Sequence, residues 1–124
     1  MPDLAHQLVL DPSLASHPQH ALATRDYPHG TGGIVAFDLA GGAEAVDPFL
    51  RALTTIAIVH SLGEVATTVS YPAVSSHRPL PVAQREALGV GAGTLRISCG
   101  IEHPSDLIAD LAHAFGGIGE RPRA

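Results

Sequence analysis

The chain contains no lysine, no asparagine and no tryptophan, and its seven basic side chains are all arginine: Arg25, Arg51, Arg78, Arg85, Arg96, Arg121 and Arg123. Without a lysine amine these residues cannot form a Schiff base with a carbonyl compound. They cannot build a P-loop either, because its glycines lead into a lysine. The lone cysteine, Cys99, excludes an internal disulfide, so a reducing cytoplasm is the expected compartment. Basic charge is also scarce: the net charge is -5 and the arginines are scattered, which argues against nucleic acid or an anionic membrane as partner. No apolar run is long enough to span a bilayer, and no basic segment leads into an apolar one as in a secretory leader. An Ala/Gly/Pro/Arg-rich chain without Lys or Asn also fits a GC-rich coding sequence.

What is present suits one globular unit. Of 124 residues, 45% are hydrophobic and 15% charged, enough for a modest core. Thirteen glycines and ten prolines predict many short elements with sharp turns. Leu8-Val9-Leu10 reads as a short strand. Ser16 reads as an N-cap with Pro18 in the first turn of a helix reaching Asp26. Ile34 to Leu39 reads as a buried strand, and Ala43 to Leu53 as a helix with Pro48 near its first turn or at a kink. Thr54 to His60 and Val65 to Tyr71 read as further strands. A helix from Pro81 to Leu88 closes on Gly89 as a left-handed cap. Thr94 to Cys99 alternates, placing Leu95, Ile97 and Cys99 opposite Arg96 and Ser98. The last helix starts at Pro104, carries an apolar stripe of Leu107, Ile108, Leu111 and Phe115, and ends at Gly116-Gly117.

This order predicts an α+β fold, a small, mainly antiparallel sheet covered on one face by helices. A doubly wound parallel sheet is the runner-up, but no glycine-rich strand-to-helix phosphate loop supports it. Residues 1–13 read as an N-terminal extension or short strand, 14–116 as the structured domain and 117–124 as a disordered tail.

Three side-chain groups invite a chemical reading. Arg96, mid-strand on the polar face, could grip a carboxylate with its planar fork; the alternatives are a solvated arginine or one paired with an acid. Ser61, after His60 at a strand end, could offer its hydroxyl and amide to an anion, or simply satisfy the turn. A Ser–His–Asp hydrolase finds no nucleophile elbow to support it. His17 and His20 have spacing for one helix face, but without a second pair or an H-E-x-x-H run no metal site is expected. Gly30-Thr31-Gly32-Gly33 runs into a strand, which makes a poor phosphate loop.

Five ordered stretches resemble one family. The segment 14–25 is similar to its L-x-S-H-P-Q-H-x-L-A-x-R/K run, and 32–39 followed by Gly41-Gly42 to its G-G-h-h-S-F-E-L…G-G, h being apolar. Ser61-Leu62-Gly63 is similar to S-L-G-G-x-E, and Tyr71-Pro72-Ala73 through His77 to H-P-A-x-x-T-H. Most specific are Leu95 to Glu102 followed by Asp106 to Leu111, like R-L-S-V-G-I-E-x-x-x-D-L-I-x-D-L. The family is the Cys/Met-metabolism, or trans-sulfuration, group of pyridoxal-phosphate enzymes.

The resemblance runs from about Leu8 to Phe115 and is to the C-terminal domain of those enzymes, a sheet with helices on one side in a fold-type I architecture. It implies a pyridoxal 5'-phosphate cofactor and a sulfur amino acid or activated homoserine as substrate. It implies that Arg96 holds the substrate α-carboxylate, that Ser61 lies beside it, and that Ser76 stands where the family has Thr before His. His60 falls where members carry Glu, Val or Asn next to the substrate side chain. The family's cofactor domain, with its Schiff-base lysine, has no counterpart in these residues, so no catalytic residue is expected here and the chain alone is expected to be inactive. A separate cofactor-domain chain or a homo-oligomer would then be its partner. The alternatives are an inert truncated product or a small dimerising or amino-acid-binding module.

Overall fold

The computed structural model describes residues 6–119, so positions 1–5 of the expected extension and 120–124 of the expected tail lie outside the described residues. The elements run β1 (His6–Leu10), α1 (His20–Asp26), β2 (Ile34–Leu39), α2 (Ala43–Ala52), β3 (Ala57–Ile58), β4 (Thr68–Ser70), a 3-10 turn (Pro72–Val74), α3 (Val82–Ala87), β5 (Thr94–Ser98) and α4 (Pro104–Gly119). The five strands form one sheet in the order β1-β2-β5-β4-β3. Three pairings are antiparallel and β3 runs parallel to β4, so the sheet is mixed and the doubly wound alternative fails.

Alternation along β2, β4 and β5 gives the sheet two unlike faces. Val35 pairs with Ile97, Phe37 with Leu95 and Ile97 with Val69, so these apolar side chains share one face. Helices α2 and α4 cover that face through Ala45, Val46, Phe49, Leu107 and Ala114. All three phenylalanines of the chain meet there: the Phe37, Phe49 and Phe115 rings have centroids 5.0 to 5.8 Å apart in tilted or edge contacts. With so few aromatics, the three largest apolar side chains of the core stand in one layer. The opposite face carries the cross-strand partners Ser98 and Thr68, Arg96 and Ser70, and Thr94 and Asp38.

Several sequence expectations shift, each for a local reason. Helix α1 starts at His20, not behind Ser16: three successive turns occupy 11–20, and the His17 imidazole accepts the Gln19 amide that a Ser16 cap was expected to help satisfy. His20 Nδ1 is bonded to the Pro12 carbonyl, so the two histidines serve this turn and do not share a helix face. Pro48 lies in mid-helix on the exposed side of α2, beyond the first turn. Cys99 lies just past the end of β5; its amide donates to the Gly33 carbonyl at 2.7 Å and the residue is exposed. Helix α4 passes through Gly116-Gly117 because Ile118 still packs on the core, while Ile108 is off the buried stripe and 57% exposed. The expected closure of α3 on Gly89 is seen, with φ of 82°.

The expected strand over 54–60 shortens to Ala57–Ile58 because a side chain captures its beginning. Asp110 of α4, 5% exposed, accepts the amides of Thr54, Thr55 and Ile56 and the Thr54 hydroxyl at 2.8 to 2.9 Å. Burial pushes this carboxyl upward, but the four donors outweigh it and hold it below its ordinary value. A depressed carboxylate stabilises the fold above the unfolded-state value near 4, and that contribution is lost as pH falls through the folded value. Asp110→Asn would place an amide donor against backbone donors and should cost on the order of 3 kcal/mol in urea unfolding at pH 7. The difference in melting temperature between variant and parent should shrink as pH is lowered below about 4.

Candidate functional site

The candidate site is built on the polar face, where β5 and β4 meet the loop that follows β3. Arg96 is half-buried between Ala36 on β2 and Ser70 on β4. Neither ion pair among the described residues, Arg25–Asp26 and Arg51–Asp47, involves it. Its one hydrogen bond runs from Nη2 to the Ser61 carbonyl at 3.2 Å, and its Nε is buried without a partner. The Ser61 hydroxyl is buried without a partner too. Among the described residues no acid is bonded to Arg96, and its Nε is shut off from water although the residue as a whole is only half-buried.

Unsatisfied buried polar atoms cost about 1–3 kcal/mol each, and more on a charged group. Here a guanidinium donor and a hydroxyl are left open on residues already joined by a hydrogen bond. That donor set fits a carboxylate, which is acceptor-only when ionised and matches the planar arginine fork. His60, adjacent in sequence to Ser61, is exposed. Ser76 is placed differently: it is exposed in the turns before α3, and its hydroxyl lies 2.8 Å from His77 Nδ1. The structure thus brings Arg96 and Ser61 together and gives Ser76 a local partner.

The residues that fasten this loop were not singled out from the sequence as site residues. Gly100 lies so close to the loop that a Cβ there would come within 2.2 Å of the Val65 carbonyl oxygen and 2.6 Å of the Thr67 nitrogen. Ile101 donates its amide to Val65 at 2.9 Å. Glu102 then accepts both the amide and the hydroxyl of Thr67, each at 2.7 Å, and Gly100 donates to the Thr67 hydroxyl oxygen at 2.8 Å. Hydrogen bonds from the Thr67 hydroxyl and amide hold the Glu102 carboxyl below its ordinary value. The run Arg96-Ile-Ser-Cys-Gly-Ile-Glu102 therefore carries the contact to Ser61 at one end and the clasp for its loop at the other.

A separate open cleft of ≈ 370 Å³ lies along α4 against Thr54 and Thr55, with Glu102, Asp106, Asp110 and His113 in its walls. Two of those acids are already committed to loop hydrogen bonds, and no group of metal-ligating side chains is found among the described residues. No helix among the described residues is long and apolar enough to cross a membrane.

The sequence pattern of the Cys/Met metabolism PLP-dependent enzymes matches residues 5–116. The chain belongs to that family. It is 38% identical over 105 residues to the O-succinylhomoserine sulfhydrylase of Pseudomonas aeruginosa, covering 85% of this chain and 26% of that one. Against the cystathionine gamma-lyase of Bacillus subtilis it is 40% identical over 114 residues, covering 92% and 30%. The solved structure of cystathionine gamma synthase from Xanthomonas oryzae pv. oryzae, in complex with cystathionine, superposes with a TM-score of 0.85 at 36% identity, covering 93% of this chain and 30% of that one. The chain thus spans between a quarter and a third of the length of these relatives.

The family depends on pyridoxal phosphate, and these residues do not supply its covalent anchor. The chain has no lysine to take the aldehyde, and Gly30 to Gly33 lead into β2, not into a helix that would face a phosphate. The open donors on Arg96 and Ser61 suit an anionic oxygen group.

Gly100→Ala should lower the urea-unfolding free energy by about 1–3 kcal/mol, because backbone and not a flexible side chain blocks the added methyl. The loss should be larger than that of Gly116→Ala, where a Cβ meets nothing within 4 Å.

Proposed function

We propose that this chain supplies the substrate-carboxylate part of a trans-sulfuration-type site. Arg96 and the Ser61 hydroxyl bind the α-carboxylate of a sulfur amino acid or an activated homoserine, and His60 lies toward the substrate side chain. The observation that carries this reading is the pair of buried, unpartnered donors, Arg96 Nε and Ser61 Oγ, on residues already in contact. Ser76, exposed and bonded to His77, has the weaker claim to touch substrate.

The parent chemistry is β- or γ-elimination or γ-replacement, and it needs an amine as acid and base at Cα. A separate cofactor-domain chain would supply that amine, and residues 14–116 correspond on this reading to the C-terminal domain of the larger enzymes. A cytoplasmic setting suits the free, exposed Cys99. What these residues do is hold one end of the substrate: the guanidinium neutralises the carboxylate and its fork fixes the carboxylate plane.

Titration calorimetry of the chain with L-methionine, L-cystathionine and L-homoserine tests the clamp. Binding is expected for at least one of them, weakened about 10- to 100-fold by Arg96→Ala, as for loss of a charged hydrogen bond. No heat with any of the three would end the carboxylate reading for the chain alone and leave the inert or dimerising alternative. Adding pyridoxal phosphate should give no lysine-type aldimine absorbance, and a borohydride-trapped adduct on an internal residue would contradict the division of labour.

A further inference from the structure

The carboxylate site depends on a loop, residues 59–67, that contains no regular secondary structure. Ser61 is useful on this reading only if its carbonyl stays on Arg96 and its hydroxyl stays open. Glu102, Gly100 and Thr67 hold the far end of the loop, five or six residues away. The near end is held by other groups. Thr68 on β4 and Ser98 on β5 are direct cross-strand partners on the polar face, and only 2% and 4% of each is exposed. The Thr68 hydroxyl donates to the Ser61 carbonyl at 3.3 Å. The Ser98 hydroxyl oxygen accepts the Gly63 amide at 3.1 Å. Gly63 has φ of 73°, a left-handed conformation that turns the loop back over these two hydroxyls and that a non-glycine residue adopts at a cost.

We propose that Thr68 and Ser98 are positioning residues for the carboxylate site: two adjacent sheet hydroxyls that fix the 61–63 turn so that Ser61 orients the Arg96 guanidinium. The inference rests on the carboxylate reading of Arg96 and Ser61 and adds to it the groups that set its geometry. The Ser61 carbonyl accepts from Arg96 and from Thr68 together. One oxygen therefore ties the guanidinium to the sheet through a second, buried donor. Neither hydroxyl lies within the clamp pair itself, so each acts through the turn. If the hydroxyls merely filled space, an isosteric apolar replacement would leave Arg96 where it is.

Thr68→Val and Ser98→Ala test this, with Thr68→Ser as the conservative rescue. Three readouts are taken on the full chain: the NMR resonance of the Arg96 Nε–H group, hydrogen exchange of the Gly63 amide, and the dissociation constant for whichever amino acid the parent chain binds. Thr68→Val and Ser98→Ala should shift or broaden the Arg96 resonance. Ser98→Ala should speed Gly63 exchange at least tenfold. Both should weaken amino-acid binding about five- to tenfold, and Thr68→Ser should restore the parent values. An unmoved Arg96 resonance in both folded variants overturns the proposal, as does failure of Thr68→Ser to recover more than Thr68→Val. If the parent chain binds no amino acid, the carboxylate reading fails by that result alone, and the Arg96 resonance and Gly63 exchange still decide whether the hydroxyl pair positions the guanidinium.

Discussion

Everything on the polar face hangs from the closeness of Gly100 to the backbone at 65–67. Because no side chain stands between them, the segment leaving β5 and the segment entering β4 lie in backbone contact, and Glu102 can reach back to take both donors of Thr67. That contact anchors the loop after β3 over the sheet and delivers Ser61 to Arg96. A larger residue at 100 would open the clasp, and the loop would lose the anchor at its far end. The contact of Ser61 with Arg96 is thus a consequence of a packing constraint four residues beyond Arg96 in the chain.

The same logic runs on the other side of the sheet. Asp110 draws the amides of 54–56 toward α4, which ends any strand there and sends the chain into β3 at the right height to run beside β4. Its charge is stabilised by donors and not by a cation, the usual arrangement for a buried carboxylate in a chain poor in basic residues. With α4 fixed by Asp110 and by the Phe37, Phe49 and Phe115 cluster, the sheet has a rigid back against which the polar face can be arranged.

The parts of this fold that the sequence makes legible are those governed by local periodicity. Ile34 to Leu39 forms a strand as expected, though only Phe37 and Leu39 of it are buried, Gly89 caps α3 as a left-handed residue must, and Leu95 and Ile97 point into the core. The parts it conceals depend on side chains reaching out of their own element, over seven residues from Thr68 to Ser61, 35 from Ser98 to Gly63 and 56 from Asp110 to Thr54. Nothing near Thr54 announces that Asp110 will take its amide, and nothing near Ser61 announces Thr68 and Ser98 beneath its turn. Arg96 and Ser61 could be named from their motifs, yet their mutual contact and the open atoms between them could not. The motif from Arg96 to Glu102 becomes intelligible only when alternate residues are seen doing different tasks: holding the Ser61 carbonyl, holding Gly63, admitting the loop and clasping Thr67.

The absence of lysine acquires its significance from this arrangement. On the proposed reading the residues hold one end of an amino acid and offer no lysine amine for chemistry at the other. The most direct measurement is a crystal structure of the chain with L-methionine at saturating concentration. The account predicts the ligand carboxylate within hydrogen-bonding distance of both Arg96 Nε and Ser61 Oγ, with the 61–63 turn still seated on Thr68 and Ser98. A carboxylate bound elsewhere, or an empty site with Arg96 turned to an acidic side chain, would contradict it.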